Sequence, residues 1–295
     1  MKYIIITAFL FCSKVVLSQD DLLSMVDSTA HSEKEYITNA FKSSRVINGH
    51  SMEFIGKNVL DVRILHRFGL LSDGAGEMFG LDQASMRMGF DYGISKNLTV
   101  GLGRSTLDKE LDGFVKYRII HQSTGKNSFP VSLVAVTGAT RFTTVWPEDA
   151  VYKESKHRMA YYTQLIVGRK FGEAFSLQIS PTYIHRNLVP TTADDNDTYA
   201  VGIGSRLKLS KRTAFVADYH YVVSGLDKNR YKNPLSLGFD IETGGHVFQL
   251  HFSNATGMNE KAFITNTTNS WGKGEVRFGF NLSRVFTVGA GRTSK

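Results

Sequence analysis

The side chains of this chain that could do chemistry are mainly cations on alternate residues. Lys116 and Arg118, for example, alternate with apolar residues at 115, 117 and 119. Seven cations lie opposite an apolar stripe in this way: Arg63, Arg67, Lys116, Arg118, Arg206, Lys208 and Arg277. Cations gathered on one face of a sheet could attract anionic solutes. The same residues could also form a packed network with carboxylates and tyrosines that admits no solute.

Other polar side chains fall on the same face by the same alternation. They are Asp218, His220, Gln249 and His251. The two histidines of this set could meet across strands, but hydrogen-bonded residues facing the interior explain them more simply than a metal site. Residues 194–197 are rich in oxygen ligands, yet they lack the spacing of a calcium motif and suit an exposed turn equally well. We therefore predict no metal and no cofactor.

No sequence motif of an enzyme is present. The chain contains no G-x-S-x-G, no H-E-x-x-H, no P-loop and no C-x-x-C. Serine and histidine on the wall of a barrel could still form a membrane-bound hydrolase, which is one alternative. Without a motif spacing we predict that the protein is not an enzyme and assign no catalytic residue.

These candidate residues are positioned by strands. In the stretch 199–210, apolar side chains at 199, 201, 203, 207 and 209 alternate with small or basic ones, which is the period of a β-strand. A charge facing lipid at mid-depth would cost roughly 2–4 kcal/mol, so the basic faces should line a lumen. About 12 such strands, within a range of 12–14, are joined by connections that are short and long in turn. This pattern predicts an all-β fold, an antiparallel meander that closes into a transmembrane β-barrel.

The chain divides into three regions. Residues 1–18 resemble a secretion signal, with Lys2, a short apolar core and small residues before Gln19. Residues 19–57 are expected to form an N-terminal periplasmic arm or plug segment, with helical spacing over 20–45, and residues 58–295 form the barrel. The only cysteine, Cys12, lies in the signal, so the exported protein would have no thiol chemistry.

The chain resembles the domain-of-unknown-function 5777 family of outer-membrane β-barrel proteins of Bacteroidota-type bacteria. The resemblance rests on the strings FKSSRVINGHS at 41–51, ILHRFG at 64–69, FGLD at 79–82, MRMGFDYG at 86–93, LTVGLGRS at 98–105 and GGHVFQLHF at 244–252. It implies a single exported barrel and no particular reaction or solute. We add the hypothesis that His66, Arg67, His246 and His251 belong to a network in the lumen or plug.

The leading functional hypothesis is an outer-membrane pore or small-solute channel with a basic lumen. The second is a closed barrel that serves as a binding or assembly partner for a periplasmic or surface protein. A soluble periplasmic β-protein is a further alternative to both. The expected partners are outer-membrane lipid and lipopolysaccharide, with small anionic solutes or a periplasmic protein as further candidates, and no nucleic acid.

Overall fold

The fold is a closed barrel of twelve antiparallel strands. The computed structural model describes residues 33–288, except residues 149, 152, 244 and 245. Each strand pairs with its neighbours along the chain, and the last strand pairs with the first. The strands are β1 (Val59–Phe68), β2 (Ala84–Gly93), β3 (Leu98–Ser105), β4 (Leu111–Ile120), β5 (Ser132–Arg141), β6 (Met159–Lys170), β7 (Phe175–Arg186), β8 (Asp197–Lys208), β9 (Thr213–Ser224), β10 (Leu235–Thr243), β11 (His246–Ser253) and β12 (Arg277–Thr287). The predicted meander barrel of about 12 strands is confirmed.

The outer face of the barrel is apolar because alternate residues of each strand point outward. Leu102, Tyr117 and Ile203 are 69%, 51% and 43% exposed, whereas their neighbours in sequence point inward and are buried. The strands have 8 to 12 residues, and a tilted strand needs about 9–11 to cross a bilayer. None of the helices formed by the described residues is long and apolar enough to cross a membrane.

The two ends of the barrel differ in their connections. The connections after β2, β4, β6, β8 and β10 lie at one end, here called the turn end; all have two to four residues except the one after β4, which spans 121–131. The connections at 69–83, 106–110, 142–158, 187–196, 225–234 and 254–276 lie at the other, here called the loop end. In outer-membrane barrels short turns face the periplasm and long loops face outward, so the turn end is expected to face the periplasm.

Two segments outside the wall contribute to the interior. Residues 40–55, here called the plug segment, precede β1 and are mostly buried. Residues 254–267, here called the lumen loop, carry the helix α1 (Glu260–Thr265), whose Phe263 and Ile264 are 0% exposed. Before the plug segment, the two-residue strands Glu35–Tyr36 and Ser123–Thr124 pair at the turn end.

The structure gives no support for a helix at the N-terminal edge of the described residues. The expected helical spacing covered residues 20–45, but residues 33–45 contain only a short strand, bends and one bridge residue. The rest of that stretch and the secretion signal at 1–18 lie outside the described residues.

Candidate functional site in the barrel lumen

The plug segment forms a tight turn inside the barrel. The Val46 N–H donates to Gly49 O at 2.8 Å and the Ser51 N–H donates to Ser44 O at 3.0 Å, while Arg45 and His50 form an antiparallel bridge. These bonds satisfy only part of the main chain of the segment. Its remaining buried N–H and C=O groups need partners on the wall, because an unpaired buried polar group is costly.

Asp218 of β9 binds the tip of this turn. One of its carboxylate oxygens, Oδ2, accepts the N–H groups of Ile47 at 3.3 Å, Asn48 at 2.8 Å and Gly49 at 2.9 Å. The other oxygen lies 2.9 Å from Nε2 of His220, two residues further along the same strand. A carboxylate that accepts successive main-chain N–H groups is a strong, charge-assisted contact. Asp218 therefore fixes the depth to which the plug segment enters.

Three cations of the wall bind the plug segment from the opposite side. Nη1 of Arg63 donates to the hydroxyls of Ser43 and Ser44, both at 2.8 Å. Nζ of Lys116 donates to the carbonyl oxygens of Ser44 at 3.2 Å and Glu53 at 2.5 Å. Nη2 of Arg67 donates to Oδ1 of Asn48 at 2.7 Å. These cations are thus occupied by atoms of the protein.

Side-chain amides of the wall complete the contacts to the plug main chain. Gln249 donates to Val46 O at 2.5 Å, and Asn281 donates to Ile47 O at 3.0 Å. Gln178 of β7 both accepts from the Met52 N–H at 2.9 Å and donates to His50 O at 2.7 Å. Because these bonds involve main-chain atoms, they depend on where the plug segment lies more than on its sequence.

The lumen loop meets the plug segment inside the barrel. Arg45 Nη1 lies 2.6 Å from Oε1 of Glu260, and the two side chains are 1% and 0% exposed. Asn259 caps α1 by accepting the Ala262 N–H at 2.8 Å, and its Nδ2 donates to Glu110 at 3.0 Å. The plug segment enters from the turn end and the lumen loop from the loop end, so the interior is occupied from both sides.

One side of the lumen wall carries an apolar cluster among polar side chains such as Lys116 and Gln178. Strands β4 to β7 point apolar side chains inward that are at most 5% exposed: Phe114, Val134, Val136, Ile166 and Ile184. They form one hydrophobic cluster with plug residues such as Phe41, Val46 and Met52, and with Phe263 of α1. The wall, the plug segment and the lumen loop therefore share a single core.

Glycines on the inner face of the wall make room for this packing. A Cβ at Gly204 of β8 would lie 2.7 Å from Cγ2 of Val46, and one at Gly168 of β6 would overlap Sδ of Met52. Distances this short do not occur between real carbon atoms. A larger residue at either position would force these plug side chains to move.

The structure places most of the predicted lumen residues around the plug segment. Arg63, Arg67, Lys116, Asp218 and Gln249 bond it directly, as described above. The histidine His220 reaches it through Asp218 and packs on the Phe263 ring, with centroids 4.8 Å apart. His251 is 1% exposed, and neither of its ring nitrogens has a hydrogen-bond partner within the described part of the chain.

The remaining predicted residues lie away from the tip of the plug segment. Arg206 lies 3.9 Å from carboxylate oxygens of Asp240 and Glu242 near the turn end. The guanidinium of Arg118 donates to the Lys96 carbonyl at 3.2 Å. At the loop end, Arg277 donates to Asn269 at 2.6 Å, whereas Lys208 is exposed at the end of β8.

The buried cations are nearly matched by buried carboxylates. The described residues bury nine Lys or Arg, namely Arg45, Arg63, Arg67, Arg87, Lys116, Arg118, Arg186, Arg206 and Arg277. They also bury eight Asp or Glu, namely Asp61, Asp91, Glu110, Asp112, Asp194, Asp218, Asp240 and Glu260. The alternation of the strands reveals the wall cations but not pairs such as Arg87 with Asp112, which lie 25 residues apart.

The proposed histidine network is only partly compatible with the structure. Arg67 and His251 are buried in the lumen, but His66 lies on the outer face, where its ring stacks on Phe280 with centroids 5.0 Å apart. His246 lies at the start of β11, at the turn end. The hypothesis was wrong for His66 because successive residues of a strand point to opposite faces.

The oxygen-rich stretch at 194–197 does not form a metal site in this structure. Asp194 accepts from the Thr191 hydroxyl at 2.9 Å, and Asp197 contacts His185 at 2.6 Å. Within the described ranges, no three His, Cys, Asp or Glu side chains come close enough together to hold a metal ion.

The chain is similar to a family model and to solved structures of membrane barrels. The family model for the membrane bound beta barrel domain, domain of unknown function 5777, matches residues 41–286. Among solved structures, the NanC porin is 9% identical, with 77% of this chain and 98% of that chain covered and a TM-score of 0.47. An outer-membrane channel from Pseudomonas putida F1 is 12% identical, with 80% and 98% covered and a TM-score of 0.44. These values are too low to transfer a solute or a mechanism. No curated protein matches the chain.

Proposed function

Since the chain belongs to the membrane bound beta barrel domain family (DUF5777), we propose that it is a closed outer-membrane barrel that serves as a binding or assembly partner for another protein. The wall anchors the chain in lipid, and the plug segment and lumen loop fill the interior. The proposal assigns no reaction to the chain. Export through a cleaved signal at 1–18 remains a prediction.

The observation that supports a closed barrel best is the apolar cluster on one side of the lumen wall. Val134, Val136, Ile166 and Ile184 point inward and are at most 1% exposed. Leaving one such side chain in water rather than burying it costs roughly 1.5–3 kcal/mol. A water-filled pore would expose all four together. The lumen is therefore better suited to a permanent core than to a solute path.

A channel that opens when the plug segment leaves is the second candidate. It is favoured by the polar contacts of the plug segment, since water could replace hydrogen bonds such as those from Arg63 and Lys116. The plug segment is also joined to β1 by only residues 56–58. In this alternative the basic residues of the wall would face small anionic solutes after opening.

Planar-bilayer conductance of a plug-locked variant tests the proposal. We expect the native protein to be silent, and V46C/G204C to be silent with the bridge either formed or reduced. A Cβ at residue 204 would lie 2.7 Å from Cγ2 of Val46, so the two cysteine Cβ atoms fall within the roughly 3.5–4.5 Å that a disulfide spans. The predicted exported chain contains no other cysteine.

Folding must be checked in the same samples. Each protein should resist denaturation by detergent on an unheated gel, as a folded barrel does, before its conductance is measured. A single mutant, V46C, controls for the substitution itself. Two results together would overturn the closed barrel and establish the gated channel. The native protein would conduct steadily, and V46C/G204C would conduct only while its bridge is reduced.

A further inference from the structure

The turn end carries most of the net positive charge on the surface of the barrel. Its exposed cations are Lys34, Lys57, Lys96, Lys126, Arg169, Lys208, Lys211, Arg212 and Arg284. Its exposed carboxylates among the described residues are Glu33, Glu35 and Glu173. At the loop end, eight exposed cations face seven exposed carboxylates within the described ranges. The excess of positive charge therefore lies at the turn end, where the plug segment enters the barrel.

A cleft of about 780 Å³ lies at this end, between residues 34–39 and 53–56 on one side and the turns after β2 and β4 on the other. Lys34, Lys96, Arg118 and His121 line it, together with aromatic side chains such as Phe129. Its volume lies within the roughly 300–1,000 Å³ typical of ligand pockets. Cations and aromatic rings in one concave site can contact carboxylates and apolar groups together.

One wall of the cleft is held in place by strand pairing and ring stacking. Tyr36 pairs with Ser123 across the two-residue strands, and its ring stacks on His121 with centroids 4.9 Å apart. Nε2 of His121 lies 2.8 Å from Ile37 O. Lys34 Nζ lies 5.4 Å from the Tyr36 ring centroid. These contacts hold residues 34–37 in place, so this wall of the cleft is preformed.

Arg118 forms the floor of the cleft. Its guanidinium lies 4.3 Å from the ring centroid of Phe54 and donates to Lys96 O at 3.2 Å. Its buried Nε has no hydrogen-bond partner among the described residues. Glu53 is the one carboxylate in the lining; it accepts the Ala40 N–H at 2.5 Å, and burial raises its pKa. The cations that line the cleft therefore outnumber its one carboxylate.

We propose that the turn end binds an acidic segment of a periplasmic protein, with carboxylates on Lys34, Lys96 and Arg118. This inference rests on the proposed function and specifies its partner. A second cleft of about 750 Å³, on the other side of residues 53–56, is lined by Lys211 and Arg212 and by Lys42, which pairs with Glu242 at 3.0 Å. The two clefts form one surface that is too large for an inorganic anion, which favours a polypeptide.

Binding of fluorescein-labelled hexaglutamate to the full chain tests this inference. The protein is placed in nanodiscs of zwitterionic lipid, which leave the turn end in water, and anisotropy is recorded. We expect K34E/K96E to weaken binding by about tenfold or more and added salt to weaken it for the native protein, because exposed charges are screened. The matched control K228E/K273E, with the same charge change at the loop end, should alter binding less than about twofold.

The outcomes separate the alternatives. Equal weakening by K34E/K96E and K228E/K273E would show attraction by net charge alone and overturn the inference, as would no binding at low salt. If inclusion of anionic lipid in the nanodisc abolishes binding of the peptide, lipid headgroups occupy the cleft and the polypeptide partner is wrong. This assay does not measure conductance. A barrel that neither conducts nor binds the peptide would contradict this inference and leave the closed-barrel proposal standing.

Discussion

At the scale of single residues, the lumen is held by charged side chains that bond main-chain atoms. Lys116 donates to two carbonyl oxygens of the plug segment, and Asp218 accepts three of its N–H groups. The alternation of residues along β4 and β9 already predicts from the sequence that both side chains face inward. Their partners could not be inferred, because Asp218 and Asn48 are 170 residues apart and no local pattern links them.

The first prediction concerns Asp218. Asp218→Ala leaves three buried N–H groups without an acceptor, and each such group costs roughly 1–3 kcal/mol. The plug turn should then open about a hundredfold more often, which corresponds to about 3 kcal/mol. Hydrogen–deuterium exchange of the amides of residues 47–49 measures this. Asp218→Asn, which keeps an acceptor, should fall between. Asp195→Ala, at an exposed aspartate of the loop end, is the control, and an equal effect there would contradict the prediction.

At the scale of elements, the twelve strands are not equivalent. Strands β8 to β12 and β1 to β4 point many polar residues inward, whereas β5 to β7 also point Val134, Ile166 and Ile184 inward. The sequence contains a trace of this difference, since residues 129–140 form a mainly apolar run instead of a clean alternation. A strand that is apolar on both faces is typical of burial on both sides. Here one side is lipid and the other is the plugged core.

The second prediction tests that core. Ile166→Ala should lower the free energy of unfolding by about 2–5 kcal/mol, because it leaves a cavity against the plug segment. Its neighbour Leu165 faces outward and is 40% exposed. Leu165→Ala should cost less, since lipid can fill the space. Unfolding by urea in detergent micelles, followed by tryptophan fluorescence, compares the two. Equal losses would indicate that Ile166 is not in a packed core.

At the scale of the whole molecule, the barrel depends on chain that lies outside its wall. The plug segment and the lumen loop both pack on the apolar cluster of the wall, and Arg45 of the plug segment meets Glu260 of the lumen loop. Breaking a buried ion pair by removing one partner is strongly destabilising. The twelve strands therefore do not form an independent unit with an optional plug; the two inserted segments complete the core of the protein.

The third prediction follows from this dependence. Deletion of residues 33–55 should lower the temperature at which the folded barrel unfolds on a detergent gel, because inward apolar side chains lose their cover. A synthetic peptide of residues 33–57 added during refolding should restore much of the loss. Shortening the connection between β5 and β6, which lies at the loop end, is the control. A deletion variant as stable as the native protein would show that the wall folds alone.

The sequence by itself determined the wall of this protein: a meander barrel of about 12 strands, the face on which most side chains lie, and the mainly alternating lengths of the connections. These follow from the two-residue period of a strand and from the cost of charge in lipid, both of which act locally. Only the tertiary structure decided what the inner face meets. Asp218, Arg63 and Lys116 bind a turn of the chain more than 15 residues away in sequence, and such contacts depend on how a closed barrel places distant segments in one space.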